Sequence, residues 1–101
     1  MQREIKFRAW DTRTKVMTFP THISQLNLPE LVAMQFTGLK DSKGREIYEG
    51  DLVGTNLSAL KVVWVKDAAG YRARSVHGVE YFLSSELEVI GNIYENPELL
   101  K

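Results

Sequence analysis

Apolar and polar positions alternate with a period of two along most of this chain, and polar turns cut the alternation at short intervals. Val32, Met34 and Phe36 alternate with Ala33 and Gln35, which sets three large apolar side chains on one face of an extended segment and predicts that face to be buried. Asp41-Ser42-Lys43-Gly44 then reads as a tight turn. The Asp41 carboxylate can accept downstream backbone N–H groups, and Gly44 can take a positive φ without a Cβ clash. Ile47 and Tyr48 favour a second strand, and a turn at Glu49-Gly50-Asp51 launches a third through Leu52 and Val53. Turns this closely spaced predict an antiparallel meander, because parallel strands need long crossovers.

The same reading extends to both ends. Ile5, Phe7 and Ala9 alternate with Lys6, Arg8 and Trp10, predicting a strand with one apolar face and one basic-aromatic face. Asp11 to Lys15 forms a turn, Val16 to Phe19 returns as the second arm of a hairpin, and Pro20 stops it. Ser24 or Asn27 can cap a short helix with Pro29 at its first position. From Leu57 to Lys66, Leu60, Val62 and Trp64 share one face while Val63 and Val65 take the other, as expected of a strand inside a sheet or covered by a partner. Asp67 to Gly70 is a hairpin loop leading into a strand from Tyr71 to Val76. His77-Gly78 turns into Val79, Tyr81 and Leu83, Ser84 or Ser85 turns again, and Leu87 to Ile93 makes the last strand before a short tail at Asn96-Pro97-Glu98.

Short strands at intervals of about ten residues predict a mainly β protein, β-rich α+β at most. The expected form is a single domain over residues 1–101. A small SH3-like barrel or curled antiparallel sheet over about residues 45–94 carries a β-rich N-terminal extension over about 1–40 and a short C-terminal tail.

Composition narrows the possible functions. There is no Cys, which excludes disulfides, thiolate zinc sites and cysteine nucleophiles. Thirteen basic and thirteen acidic residues cancel, which argues against coating nucleic acid by bulk charge. No apolar run is long enough to span a membrane and the N-terminus is not a signal peptide, so the expected location is the cytoplasm. Glu46, Glu49 and Asp51 could bind a hard cation or act as acid and base. No further oxygen ligand or partner base stands at a fixed spacing, so they read as turn residues with Asp51 capping backbone amides. His22 and His77 have no metal-ligand spacing, and neither a GxSxG elbow nor a phosphate-binding glycine loop is present. The sequence therefore predicts no catalytic residue, no metal site and no cofactor.

Three blocks of the chain carry a family resemblance. TGLKD followed by GREIYEGD, at residues 37–41 and 44–51, resembles the central motif of the YopX family, small proteins encoded by phages and prophages of Gram-positive bacteria. REIKFRAWD at residues 3–11 and EVIGNIYENPELL at 88–100 agree with it in order and spacing. The resemblance makes Gly38, Asp41, Gly44, Tyr48, Gly50, Asp51, Gly91 and Asn92 structural positions of the motif, with Phe36 standing where Tyr is more usual. It implies a β-rich fold and a phage context and brings no activity with it. Gly54 to Ser85 matches little, so features peculiar to this chain are expected there.

Two surfaces suit binding. Tyr71, Arg72 and Arg74 lie on one strand beside Trp64 on its neighbour, and Lys6, Arg8 and Trp10 lie at the N-terminus. Aromatic and Arg side chains dominate buried contacts, so Trp10, Trp64, Tyr71 and Arg74 are the candidates for a protein interface, either with a second copy or with a phage or host protein. Arg72 and Arg74 beside aromatic rings are also the arrangement by which small barrels hold single-stranded nucleic acid. Against both stands the plain expectation that the rings are core and that the arginines pair with Glu80 or Glu88. The expected function is a non-catalytic phage accessory protein that binds a protein or assembles with itself, with nucleic-acid binding as the alternative.

Overall fold

The computed structural model describes residues 5–20, 26–55 and 58–100. It is mainly β and antiparallel throughout. One sheet has the strand order β2-β1-β3-β4, built from β1 (Phe7–Asp11), β2 (Val16–Thr18), β3 (Leu31–Lys40) and β4 (Glu46–Tyr48). The other has the order β8-β7-β6-β5-β9, built from β5 (Asp51–Thr55), β6 (Ser58–Val65), β7 (Gly70–Arg74), β8 (Glu80–Phe82) and β9 (Val89–Asn92). This second sheet is the curled, barrel-like part, and a single 3-10 turn, Pro97–Leu99, follows it. Of the short helix expected to be capped by Ser24 or Asn27 and to start at Pro29, Ser24 lies outside the described residues, and in its place 26–30 form short turns before β3 begins at Leu31. Leu57 and His22 also lie outside the described residues.

The two sheets share a core. Ile47 of β4, Val53, Val62 and Ala73 are buried together, with Leu60, Tyr71, Leu83, Leu87 and Val89 packed around them. β4 therefore belongs by hydrogen bonding to the first sheet and by packing to the second. β3 serves the same union: it pairs with β1 through Leu31 to Gln35, then shifts register between Phe36 and Lys40 to pair with β4. Gly38 sits in that irregular stretch with φ 92°, a conformation that disfavours any residue with a Cβ.

Both faces of β1 are covered. Ala9 of the apolar face is 0% exposed, while Ile5, ahead of the strand, is 69% exposed, and the basic-aromatic face is buried too, through Arg8 and Trp10. The cause is what covers that face. The β4–β5 turn and the segment after β9 fold over it, so that the Trp10 ring stacks on Tyr94 at 5.5 Å and 17° and the Arg8 guanidinium lies 4.7 Å from the Tyr48 ring centre. Arg8 Nη2 donates to Asp51 Oδ1 at 2.7 Å and contacts the Glu49 carbonyl oxygen at 3.4 Å, and Asp51 Oδ2 accepts the Tyr48 N–H at 2.7 Å. Burial pushes the Asp51 carboxyl above its ordinary value, while the Arg8 guanidinium and the Tyr48 N–H oppose that push. Gly50, with φ 87°, lets this turn sit against β3: a Cβ there would meet Met34 Sδ at 3.0 Å.

Asp41 is the second organising carboxylate. Its Oδ1 accepts the N–H groups of Lys43 and Arg45, closing the predicted turn, and its Oδ2 accepts the Val89 N–H at 2.8 Å. The Ser42 N–H donates to the Leu87 carbonyl beside it. The central turn is thereby tied to the last strand. Burial alone would raise the Asp41 carboxyl, but the three N–H donors and the Arg45 guanidinium outweigh it and hold the group below its ordinary value of 3.8. Gly91 and Asn92 act in the same region. Asn92 Oδ1 accepts the N–H groups of Tyr94 and Glu95, and the Asn96 side chain packs so closely over Gly91 that a Cβ there would lie 2.5 Å from Asn96 Oδ1.

Two predictions follow from these carboxylates. Asp51→Ala leaves the buried Arg8 charge unpaired and is expected to cost about 3–5 kcal/mol in denaturant unfolding, whereas the double replacement Arg8→Met with Asp51→Leu recovers most of that loss. For Asp41 the folded value lies below the unfolded one, so its contribution is complete above the ordinary carboxylate value and is lost as pH falls through the folded value. The Tm of the native chain should therefore drop below about pH 4 more steeply than that of Asp41→Asn, which is less stable at neutral pH by about 1.5–3 kcal/mol.

Candidate functional site

The acidic cluster comes apart in the structure. Glu46 is ion-paired with Lys6 and accepts from the Tyr48 hydroxyl, and the bond from Lys6 holds its carboxyl below the ordinary value. Asp51 is taken by Arg8. Among the described residues no group of three or more His, Asp or Glu side chains is placed to hold a metal ion. His77 sits exposed in the β7–β8 turn.

The binding candidates on β6 and β7 are brought together and then divided by strand alternation. Trp64 pairs with Tyr71 and Val62 with Ala73, so these four share the face that leads into the core. Val63 pairs with Arg72 and Lys61 with Arg74, placing both arginines and a lysine on the opposite face. On the core side the Trp64 ring meets Tyr71 edge-on at 5.0 Å and remains 46% exposed, while the Tyr71 hydroxyl reaches the Gln35 side chain at 3.2 Å. On the other side Arg74 is ion-paired with Glu80, one of the two partners expected for it. Glu88, the other, pairs with Arg45. Arg72 donates to the Tyr71 carbonyl, and its guanidinium lies 4.9 Å from the centre of the Phe82 ring. Trp10, the remaining interface candidate, is only 6% exposed and stacked on Tyr94, so it packs the fold instead of presenting a surface.

The surface residue that sequence reasoning passed over is Phe82. It is 81% exposed on β8, the outermost strand of the five-stranded sheet, with Tyr81, Val79 and Val76 about half exposed beside it. A signal was present. Val79, Tyr81 and Leu83 take the inward phase of the alternation, which leaves Phe82 on the polar phase next to Glu80, where an aromatic side chain has no core to enter. The arginine face of β6 and β7 also borders a cleft of about 330 Å³ between the sheets, walled by Met34 and Tyr94 on one side and by Lys61 and Arg74 on the other. This arrangement suits binding through aromatic and cationic groups.

Comparison with known proteins agrees with the fold. The crystal structure of protein EF1440 from Enterococcus faecalis is similar to this one with a TM-score of 0.72 at 25% identity, covering 99% of this chain and 100% of that one. No curated protein matches the chain. Residues 20–101 match the family model for YopX protein. The match spans most of the chain, including the Asp41 turn, the Gly50-Asp51 turn and the Gly91-Asn92 segment, and the chain belongs to the YopX family.

Proposed function

We propose that this YopX-family chain is a non-catalytic accessory protein of a phage or prophage, working in the host cytoplasm by binding a phage or host protein. The observation that carries the reading is the apolar rim of the β7–β8 hairpin. Phe82 stands exposed on the arginine face of β8, and Tyr81 and Val79 are half exposed on the opposite face of the same edge, with Val76 in the adjoining turn. Exposed apolar side chains gathered at one edge mark contact sites, and aromatic and Arg side chains supply most of the energy when such a site is covered. A second copy of the chain could cover the same rim, which makes self-association part of this proposal. Nucleic-acid binding has less support: Arg74 is committed to Glu80, and both arginines face away from the Trp64 and Tyr71 rings they would need for stacking. No helix among the described residues is long and apolar enough to cross a membrane.

The test is affinity capture of the tagged protein from phage-infected cells, comparing the native chain with Phe82→Asp combined with Trp64→Ala, and treating half of each lysate with nuclease. Phe82 is 81% exposed and its replacement should cost about 1 kcal/mol or less, whereas Trp64, half buried against Tyr71, adds about 2–3 kcal/mol, so circular dichroism of the variant accompanies the capture. The expected result is a protein retained by the native chain in both halves and lost from the variant. Retention that vanishes with nuclease, or equal capture by the variant, overturns the reading.

A further inference from the structure

We infer that the open edge of β8 takes up an extended peptide bearing an acidic residue as a sixth strand of the sheet. The inference rests on the protein-binding reading above and names the class of partner. Among the described residues β8 pairs with β7 alone and ends the strand order on that side. The phase of its hydrogen bonds follows from the turn. The Ser75 N–H donates to the Val79 carbonyl, so residues 75 and 79 form a hydrogen-bonded pair, and the next such pair, two residues on, is Ala73 with Tyr81. Glu80 and Phe82 therefore occupy the alternate positions, where N–H and C=O point away from β7. Each offers one donor and one acceptor outward, at the spacing that an added antiparallel strand would use.

Side chains define what that strand carries. Glu80 and Phe82 share their face with Arg74 and Arg72, and Lys61 continues the row on β6. Nearest the edge this face holds Arg72 and Arg74 with one carboxylate, Glu80, already bound by Arg74, while Lys61 lies two strands further in and faces a cleft that Glu49 also lines. Among the described residues Arg72 and Lys61 have no carboxylate partner. The Arg72 guanidinium already lies over the Phe82 ring, toward the free edge. An acidic side chain placed opposite Phe82 on an added strand meets that guanidinium, and its aliphatic stem covers the ring. Residues on either side of it in the added strand turn to the other face, beside Tyr81 and Val79, where apolar side chains fit. The recognised segment thus carries one acidic residue opposite Phe82, a neutral residue opposite Glu80, whose carboxylate would repel a second acid, and apolar residues between them. Its backbone supplies binding, and its alternate side chains supply selection.

The experiment titrates the 15N-labelled protein with a synthetic valine-rich peptide carrying one glutamate, with threonine two residues to either side of it, and with its lysine counterpart. The expected result is that the Glu80 and Phe82 amides shift and gain protection from exchange, with the glutamate peptide binding about tenfold more tightly and Arg72→Glu reversing the preference. Three results overturn the inference: shifts that miss β8, equal binding of both peptides, or β8 amides already protected in a dimer of the free protein. If β8 stays unperturbed while Phe82→Asp still loses its captured protein, strand addition falls and the binding function stands.

Discussion

Arg8 and Asp51 come from opposite sheets and meet in a dry interior, where neither charge is tolerable alone. Desolvating two charges consumes most of what their attraction returns, so the pair adds little net stability compared with well-packed apolar side chains. Its effect is on specificity. With Asp51 fixed by Arg8 and by the Tyr48 N–H, the β4–β5 turn has one position against β1. With that turn in place, Gly50 passes under Met34, Tyr94 reaches Trp10, and Ile47 enters the core of the barrel-like sheet. Displacing the turn would strand a guanidinium beside aromatic rings and a thioether, which excludes sliding of one sheet over the other more effectively than apolar contact would.

That rigidity contrasts with the β7–β8 hairpin. The hairpin shares little of the core beyond Ala73, Tyr71 and Leu83, and its outer strand has only three residues. Short edge strands are one means by which β proteins avoid indiscriminate pairing, and the Glu80 charge on β8 is another. An edge protected in this way can still be selective, because a partner must match both the open backbone groups and the cationic row behind them. The family blocks build the frame, and the segment between them presents the surface.

Much of this architecture was legible in the chain, for a definable reason. Antiparallel hairpins are local, so alternation and turn chemistry were enough to place β3 to β9 in order, with the Asp41 and Gly44 turn and the run of short strands after Glu49. What escaped was long-range. The alternation of Ile5, Phe7 and Ala9 with Lys6, Arg8 and Trp10 gave the period of β1 correctly, but that the basic-aromatic face would be covered as well as Ala9 depended on Tyr48, Asp51 and Tyr94, all distant in sequence. Trp10 was mistaken for a surface residue on the same account. On β6 and β7, the residues Trp64, Tyr71, Arg72 and Arg74 were rightly grouped on neighbouring strands; alternation already sets Tyr71 opposite Arg72 and Arg74, and the pairing register added that Trp64 falls on the Tyr71 side.

The double use of the Asp41 carboxylate bears on how the molecule comes into being. One oxygen serves a local turn, and the other is satisfied by Val89, 48 residues further on. The turn can form early, but half of its anchor stays hydrated until the last strand arrives, and Ser42 waits for Leu87 in the same way. Such distant closures make folding slow and cooperative instead of stepwise. During synthesis the N-terminal sheet would leave the ribosome incomplete, and it would settle only when the final strand had been released to dock against a turn made some forty residues before.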